Sequence, residues 1–311
     1  MSIIFYASLF LFGLAAGSFL NALTLRYSPE RNFFSCISLG LSPDRAGRRS
    51  HCMQCRARLR WYELIPLVSF MLQRGRCRSC GARLSWQYPA IELAAAALAV
   101  GIPIFFSAWY GSAGWWSGIA TFEAPGWYYG FLFLWYLAAL AWLAIVVIDI
   151  RHYLVPDELN VALLALGVGI VALLAAYGGA LPPFRASFLK HYALLFSPSF
   201  LQGTLAMHLA GAVAGGMFFW FLSLLARGNA MGLGDVKLAL ASGFILGFPD
   251  IALAAMFAFI AGGAGGGFLM ATGRKKIGDK LPFAPFLVLG FVATITLGFP
   301  ILSWYFELLN F

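Results

Sequence analysis

Gly126-Trp-Tyr-Tyr-Gly-Phe-Leu-Phe-Leu-Trp-Tyr-Leu-Ala-Ala-Leu-Ala-Trp-Leu-Ala-Ile-Val-Val-Ile148 runs for 23 residues without a charge, and Asp149 follows it directly. A hydrocarbon core about 30 Å thick takes roughly 20 apolar residues of helix. The run therefore spells a membrane-crossing helix that stops at an acid. Six more segments have the same character: 3–25, 89–106, 159–180, 205–226, 251–272 and 283–306. An eighth, 236–248, is short. The expected fold is all-α, a polytopic membrane protein of about eight transmembrane helices. Composition agrees: 61% of residues are hydrophobic, 11% are charged, and the mean hydropathy is +0.83, whereas about a quarter of a soluble domain is charged.

The net charge of +9 does not point to nucleic acid, because its Lys and Arg flank the apolar spans. Cytoplasmic loops carry the excess of basic residues. With the N-terminus outside, nineteen of the 21 Lys and Arg fall on the inner side, and only Arg185 and Lys190 fall outside. If 236–248 were a re-entrant loop, the Arg274-Lys275-Lys276 cluster would move outside, so it is read as a short crossing. The first segment lacks a basic leader and a small-residue cleavage pattern, so it is expected to stay as a helix. These readings make the chain a multi-pass membrane protein with its basic loops on the cytoplasmic side.

Three parts are expected: helix 1 over 1–25, a hydrophilic cytoplasmic module over 26–88, and a helical core over 89–311. The module holds Cys52-Met-Gln-Cys55 and Cys77-Arg-Ser-Cys80. Each C-x2-C knuckle offers two thiolates from one tight turn, and two such knuckles fit tetrahedral zinc. Disulfides are the bland alternative, but they rarely persist in a reducing cytosol. Four protein ligands close the coordination shell, so the zinc is structural. His51 reads as a neighbour and Cys36 as a bystander. Twelve Arg between Arg26 and Arg83 make membrane lipids an expected partner, since anionic headgroups attract basic segments.

The outer loops, 107–125 and 181–204, read as interfacial segments anchored by Trp109, Trp115, Trp116 and Trp127. Gly211-x3-Gly215, Gly262-x3-Gly266 and Gly263-x3-Gly267 have the spacing that lets helices approach closely in lipid.

Twelve acids can be sorted singly, and carboxylates at a membrane edge are functional candidates. Asp149 ends an apolar helix, where a negative charge is unfavourable. Asp157 follows Pro156 and opens the next helix, so a capping role suits it as well as a chemical one. Asp235 lies in Met231-Gly-Leu-Gly-Asp-Val-Lys237, where Gly232 and Gly234 permit backbone angles closed to other residues and let another helix come close. Read blandly, Asp235 caps a helix and Lys237 anchors it. Asp149 and Asp235 fall at one membrane face. Two carboxyls that share a proton can supply a base for water and an acid for a carbonyl, which is sufficient for peptide hydrolysis.

Several ordered motifs then carry a resemblance. Gly17-Ser-Phe-Leu-Asn21 with Arg26, Trp61-Tyr-Glu-Leu-Ile-Pro-Leu67, Arg74-Gly-Arg-Cys-Arg-Ser-Cys-Gly81, and Tyr88-Pro89 with Glu92 come first. Asp149 with Val155-Pro-Asp157, Gly232-Leu-Gly-Asp235-Val-Lys237, and Lys276 with Pro282-Phe-Ala-Pro-Phe286 follow. Over nearly its whole length the chain resembles the type IV prepilin peptidase family of membrane aspartic proteases. The resemblance implies that Asp149 and Asp235 are the catalytic pair, supported by Gly232, Gly234, Lys237, Pro156 and Asp157. It implies substrates that are type IV prepilins or type II secretion pseudopilins, cut after a basic leader at the cytoplasmic face. It also implies N-methylation of the new N-terminus with S-adenosylmethionine, with the Glu92 region involved. Ala96 stands where the family commonly has glycine. The tail motif is interrupted by Gly278-Asp279-Lys280 and has Ala284 for glycine. These departures bear on methylation rather than cleavage, so a peptidase without methyltransferase activity is one alternative. A transporter with a zinc module is the other, disfavoured because transporters tend to show internal repeats and midplane charges.

Overall fold

The computed structural model describes residues 3–30, 33, 51–52, 54–111, 126–177, 187–189, 203–225, 231–276 and 279–308. Cys36, Trp115, Trp116 and most of both outer loops lie outside the described residues. Among the described residues nine α-helices follow in order: α1 (Ile3–Arg26), α2 (Val68–Leu72), α3 (Gln87–Gly111), α4 (Gly126–His152), α5 (Asp157–Tyr177), α6 (Thr204–Leu225), α7 (Leu233–Leu246), α8 (Asp250–Ala271) and α9 (Ala284–Leu308). A 3-10 turn, Trp61–Leu64, precedes α2. No strand forms among the described residues; there are only two isolated bridges. Helix is the expected solution in lipid, because every backbone N–H and C=O finds its partner within one segment. The chain divides into two compact units, Met1–Ala144 and Ile145–Phe311.

Within the first unit, α1 and α3 run antiparallel at very close range. A Cβ on Gly13 would lie 2.5 Å from the Ala96 Cα, and one on Gly17 would lie 2.7 Å from the Glu92 Cα. At the end of that contact the Asn21 side-chain amide donates to the Tyr88 carbonyl at 3.0 Å. A buried polar group is thereby matched to the first turn of the neighbouring helix.

Among the described residues seven helices are long and apolar enough to cross a membrane: α1, α3, α4, α5, α6, α8 and α9. The eighth, α7, has 14 residues and rises about 21 Å. It lies antiparallel to α6, with Gly211 facing Gly243 and Gly215 facing Ala239. Its two flanks reach both ends of α6: the Ser223 hydroxyl donates to the Met231 carbonyl at 3.2 Å, and the Phe248 amide to the Met207 carbonyl at 2.9 Å. So α7 accompanies α6 for most of its depth.

The glycine pairs divide by outcome. A Cβ on Gly211 would meet the Gly243 carbonyl oxygen at 2.4 Å, and one on Gly215 the Ala239 oxygen at 2.8 Å. Gly262 and Gly266 make ordinary contacts, while Gly263 and Gly267 face open space, so that third pair is not a packing motif among the described residues. Asp250, for which the sequence offered no role, is fully buried at the start of α8. It accepts hydrogen bonds from the Ser187 hydroxyl at 2.5 Å and the Phe188 amide at 2.7 Å, which pins residues 187–189 to that helix.

Ala has the higher helix propensity, so Gly→Ala in an open helix position gains up to about 1 kcal/mol. Overpacking a tight contact costs about 1–3 kcal/mol. Gly211→Ala should therefore lower the thermal midpoint of the detergent-solubilised protein, and Gly263→Ala should leave it unchanged or raise it.

Candidate carboxylate site and thiol cluster

The acid at the end of the apolar run does not end its helix. α4 continues to His152, so Asp149 sits inside the last turn, where its side chain is buried. Its carboxylate Oδ2 accepts the Ala284 amide at 3.0 Å. Ala284 is the first residue of α9, and the first amides of a helix lack internal partners. An acid placed against its own helix dipole thus receives the free amide of another helix. Pro285 follows, a residue that suits a first turn because it has no amide to satisfy. Phe283 holds the approach to that turn, with its ring centroid 5.9 Å from Phe219 and 5.6 Å from Phe259.

Asp235 is half-buried in the first turn of α7. It lies close enough to Asp149 for the two charges to interact. The first turn of α7 and the last turn of α4 therefore each carry one carboxyl, and the first turn of α9 supplies the amide that Asp149 accepts.

The supporting residues sort differently from expectation. Gly232 has φ −79° and Gly234 is helical, so neither uses the backbone angles reserved for glycine. The second role holds: a Cβ on Gly234 would lie 3.0 Å from the Val155 Cβ. Gly234 is small because the 153–156 turn, with Val155 and Pro156 both buried, presses against α7. Asp157 opens α5 as expected, but its carboxylate takes the Lys237 ammonium at 2.7 Å. Both partners are exposed, and such pairs contribute about 0–1 kcal/mol. The pair ties the start of α5 to α7 and sets their register more than it stabilises them.

The tail motif also acquires a physical role. Lys275 donates to the Lys280 carbonyl and to the Tyr153 hydroxyl at 3.4 Å, and it sits 5.4 Å above the Tyr153 ring. The Asp279 carboxylate accepts the Lys276 amide at 2.7 Å. The segment leading to Ala284 is thus fastened to the turn that follows Asp149. The sequence reading missed the Ala284 amide altogether, and only the presence of the tail motif hinted at it.

The four thiols gather as expected: one sulfur from each of Cys52, Cys55, Cys77 and Cys80 lies within 4.8 Å of the others. None is in a disulfide, and His51 is not in the group. The two knuckles share one geometry. In each, the first cysteine's amide donates to the residue five on, Ala57 or Ala82, and its carbonyl accepts the residue four on, Arg56 or Gly81. The bridges His51–Arg58 and Arg76–Arg83 repeat the same offset. The fourth position needs a positive φ, 57° at Arg56 and 71° at Gly81. The amides of Cys55 and Gln54 push the Cys52 thiol down to about 6. The Ala82 amide favours the Cys80 thiolate, yet desolvation and the three other sulfurs push that thiol up to about 11. A cluster whose first thiolate forms readily and whose last resists suits a cation that holds all four charges. The cluster could hold a metal ion.

Glu92 is the only buried acid among the described residues of the first unit. Its carboxylate accepts the Leu67 amide at 2.8 Å. Leu67 has φ 58°, so the helix fastens an unusual turn lying between the two knuckles.

The fold is that of an all-helical, multi-pass membrane protein. The chain belongs to the type IV leader peptidase family. The model of that family matches residues 136–267, and that of the bacterial peptidase A24 N-terminal domain matches residues 11–106. A prepilin leader peptidase/N-methyltransferase of Bacillus subtilis (strain 168) is 32% identical over 302 residues, covering 96% of this chain and 97% of its own length. One from Burkholderia pseudomallei (strain K96243) is 31% identical, covering 93% of this chain and 84% of its own. A type 4 prepilin-like proteins leader peptide-processing enzyme of Escherichia coli is 31% identical, covering 92% and 91%. No solved structure matches.

A left-handed non-glycine residue costs about 1–2 kcal/mol. Arg56→Gly should therefore raise the thermal stability of the protein, and Gly81→Ala should lower it. Metal analysis of purified protein should find about one ion per chain, lost in the Cys52→Ser, Cys77→Ser double variant.

Proposed function

We propose that this protein is an aspartic endopeptidase of the inner membrane, that it removes the basic leader from type IV prepilins or type II secretion pseudopilins at the cytoplasmic face, and that it methylates the new N-terminus. The observation that carries the first activity is the convergence of Asp149 and Asp235 at helix termini, with Asp149 held by the Ala284 amide.

The chemistry follows from two carboxyls that share one proton. One, ionised, takes a proton from water as that water attacks the scissile carbonyl. The other, protonated, donates to the carbonyl oxygen and stabilises the tetrahedral centre. When the centre collapses, the carboxyl that took the proton from water gives it to the leaving amine, and the other takes back the proton of the hydroxyl that becomes the new carbonyl oxygen, so the pair again holds one proton. Asp149 and Asp235 are the catalytic pair in this reading. Gly234, Pro156, Asp157 and Lys237 act by position, since they lock the turn after Asp149 against the helix that carries Asp235.

The names of the relatives, which pair the peptidase with N-methyltransferase activity, support methylation. S-adenosylmethionine supplies a methyl group on a cationic sulfonium, and a buried carboxylate such as Glu92 suits a positive partner. Ala96 is compatible with this role: Gly13 and Gly17 on α1 provide the room for the close helix contact, so a methyl at position 96 does not open it. In the 26–88 module the four thiolates would hold a structural zinc, because borderline-soft zinc takes four cysteines in a closed tetrahedron. Nineteen basic residues on one side support the cytoplasmic placement of this module.

General acid–base groups contribute about 10²- to 10⁴-fold to rate. Asp149→Asn and Asp235→Asn should each lower cleavage of a co-expressed prepilin by that order while the protein stays membrane-inserted. Normal processing by either variant overturns the pair. Ala284→Pro removes the amide donor and should slow cleavage about tenfold, whereas Ala284→Gly keeps it and should cleave normally. Mass spectrometry of the processed pilin reads both activities at once, from the cleavage position and the mass of one added methylene.

A further inference from the structure

Trp61, Leu64, Ile65, Val68, Met71 and Leu72 recur at helical spacing, three and four residues apart. In a soluble module such a stripe would face a core. Here it faces outward: Trp61 is 77% exposed, Met71 75% and Leu72 74%, and the others of the stripe are exposed as well. The polar residues of the same stretch engage one another. Tyr62 receives Arg60 at 3.1 Å and also Arg78, and the Glu63 carboxylate accepts the Arg60 amide at 2.7 Å. The stripe is broken at Leu67, whose φ of 58° separates the 3-10 turn from α2, yet all six residues are exposed within twelve positions, and scattered exposure of single residues does not account for that.

Two observations say what covers it. The stripe is continuous with the point where the chain enters the membrane. Phe70 packs against Trp86 with ring centroids 5.1 Å apart, and Trp86, 78% exposed, immediately precedes the membrane-crossing α3. Tryptophan beside a crossing helix belongs to the headgroup layer. The second observation is charge. Seven Arg and a single acid lie between His51 and Trp86, and the described Arg of this stretch are all exposed. A surface that joins exposed apolar anchors to unpaired cationic charge matches an anionic bilayer. A basic peptide segment would be repelled by the same arginines.

We propose that the cysteine-bearing module lies on the inner leaflet, with Trp61, Met71, Leu72 and Trp86 seated among the headgroups and the arginines around them engaging anionic lipid phosphates. The module is then a membrane-docked plate rather than a freely tumbling loop. This assignment rests on the membrane-crossing helices alone and is independent of the peptidase reading.

The test uses the full-length protein with a fluorescent amino acid in place of Met71, reconstituted in vesicles of phosphatidylcholine alone or mixed with phosphatidylglycerol. Lipids brominated near the headgroup should quench the probe, and acrylamide in water should not, with the contrast strongest in the phosphatidylglycerol vesicles. The docked population should fall about fivefold for each of Arg74→Gln and Arg76→Gln. A second measurement keeps Met71 native: bromolipid quenching of the protein's own tryptophan emission should drop in Trp61→Phe. A probe open to acrylamide in both vesicle types overturns the proposal. So does a probe shielded from acrylamide but untouched by bromolipid, which would place a protein segment there. Equal bromolipid quenching with and without phosphatidylglycerol overturns the assignment to anionic lipid.

Discussion

The hydrogen bond from the Ala284 amide to the Asp149 carboxylate, 3.0 Å long and buried, is the constraint around which the second unit is arranged. It joins the end of α4 to the start of α9 across 135 residues of sequence. A carboxylate at a helix C-terminus opposes the dipole of its own helix, and a free amide at a helix N-terminus in an apolar setting needs an acceptor. Each defect answers the other. For the pair to form, the segment before α9 must lie beside the turn after α4. The Lys275 contacts with Tyr153 and the Phe283 aromatic cluster hold it there.

The second aspartate arrives by a different route. Its helix, α7, is confined on one side by α6, where glycines bring backbones to van der Waals limits, and on another by α5, through Gly234 against Val155 and Lys237 on Asp157. The exposed ion pair contributes little energy. Its value is geometric, since a slip of one residue along α7 would rotate Asp235 by about 100° about the helix axis. The glycines flanking Asp235 are there for proximity. With φ −79° at Gly232 and a helical Gly234, conformational freedom has no part in it.

The first unit follows the same logic of close approach. Gly13 and Gly17 draw α1 onto α3, and Glu92 and Asn21 are buried along that contact with backbone partners in the adjoining segments. The cysteine module is built on a repeat that side-chain identity conceals. Two knuckles have matching hydrogen bonds, bridges and a left-handed fourth position, yet one uses glycine there and the other arginine. Comparing residue types finds the C-x2-C spacing but not the repeated backbone, because Arg56 bears the strain that Gly81 avoids.

From the sequence alone came the all-α membrane class, the crossing segments to within a few residues, the grouping of four cysteines, and the suspicion attached to Asp149 and Asp235. These were legible because apolar run length, charge placement and ligand spacing are properties of side chains in order along the chain. The tertiary structure decided what those side chains meet. It alone showed that Asp149 is answered by a backbone amide, that Asp157 binds Lys237 in place of capping its helix, that Asp250 anchors residues 187–189, and that the Trp61–Leu72 stripe faces outward. The reason is physical. Every residue except proline carries the same N–H, so no pattern of side chains announces which amide a buried carboxylate will find. Whether an apolar stripe is covered depends on neighbours that are distant in sequence.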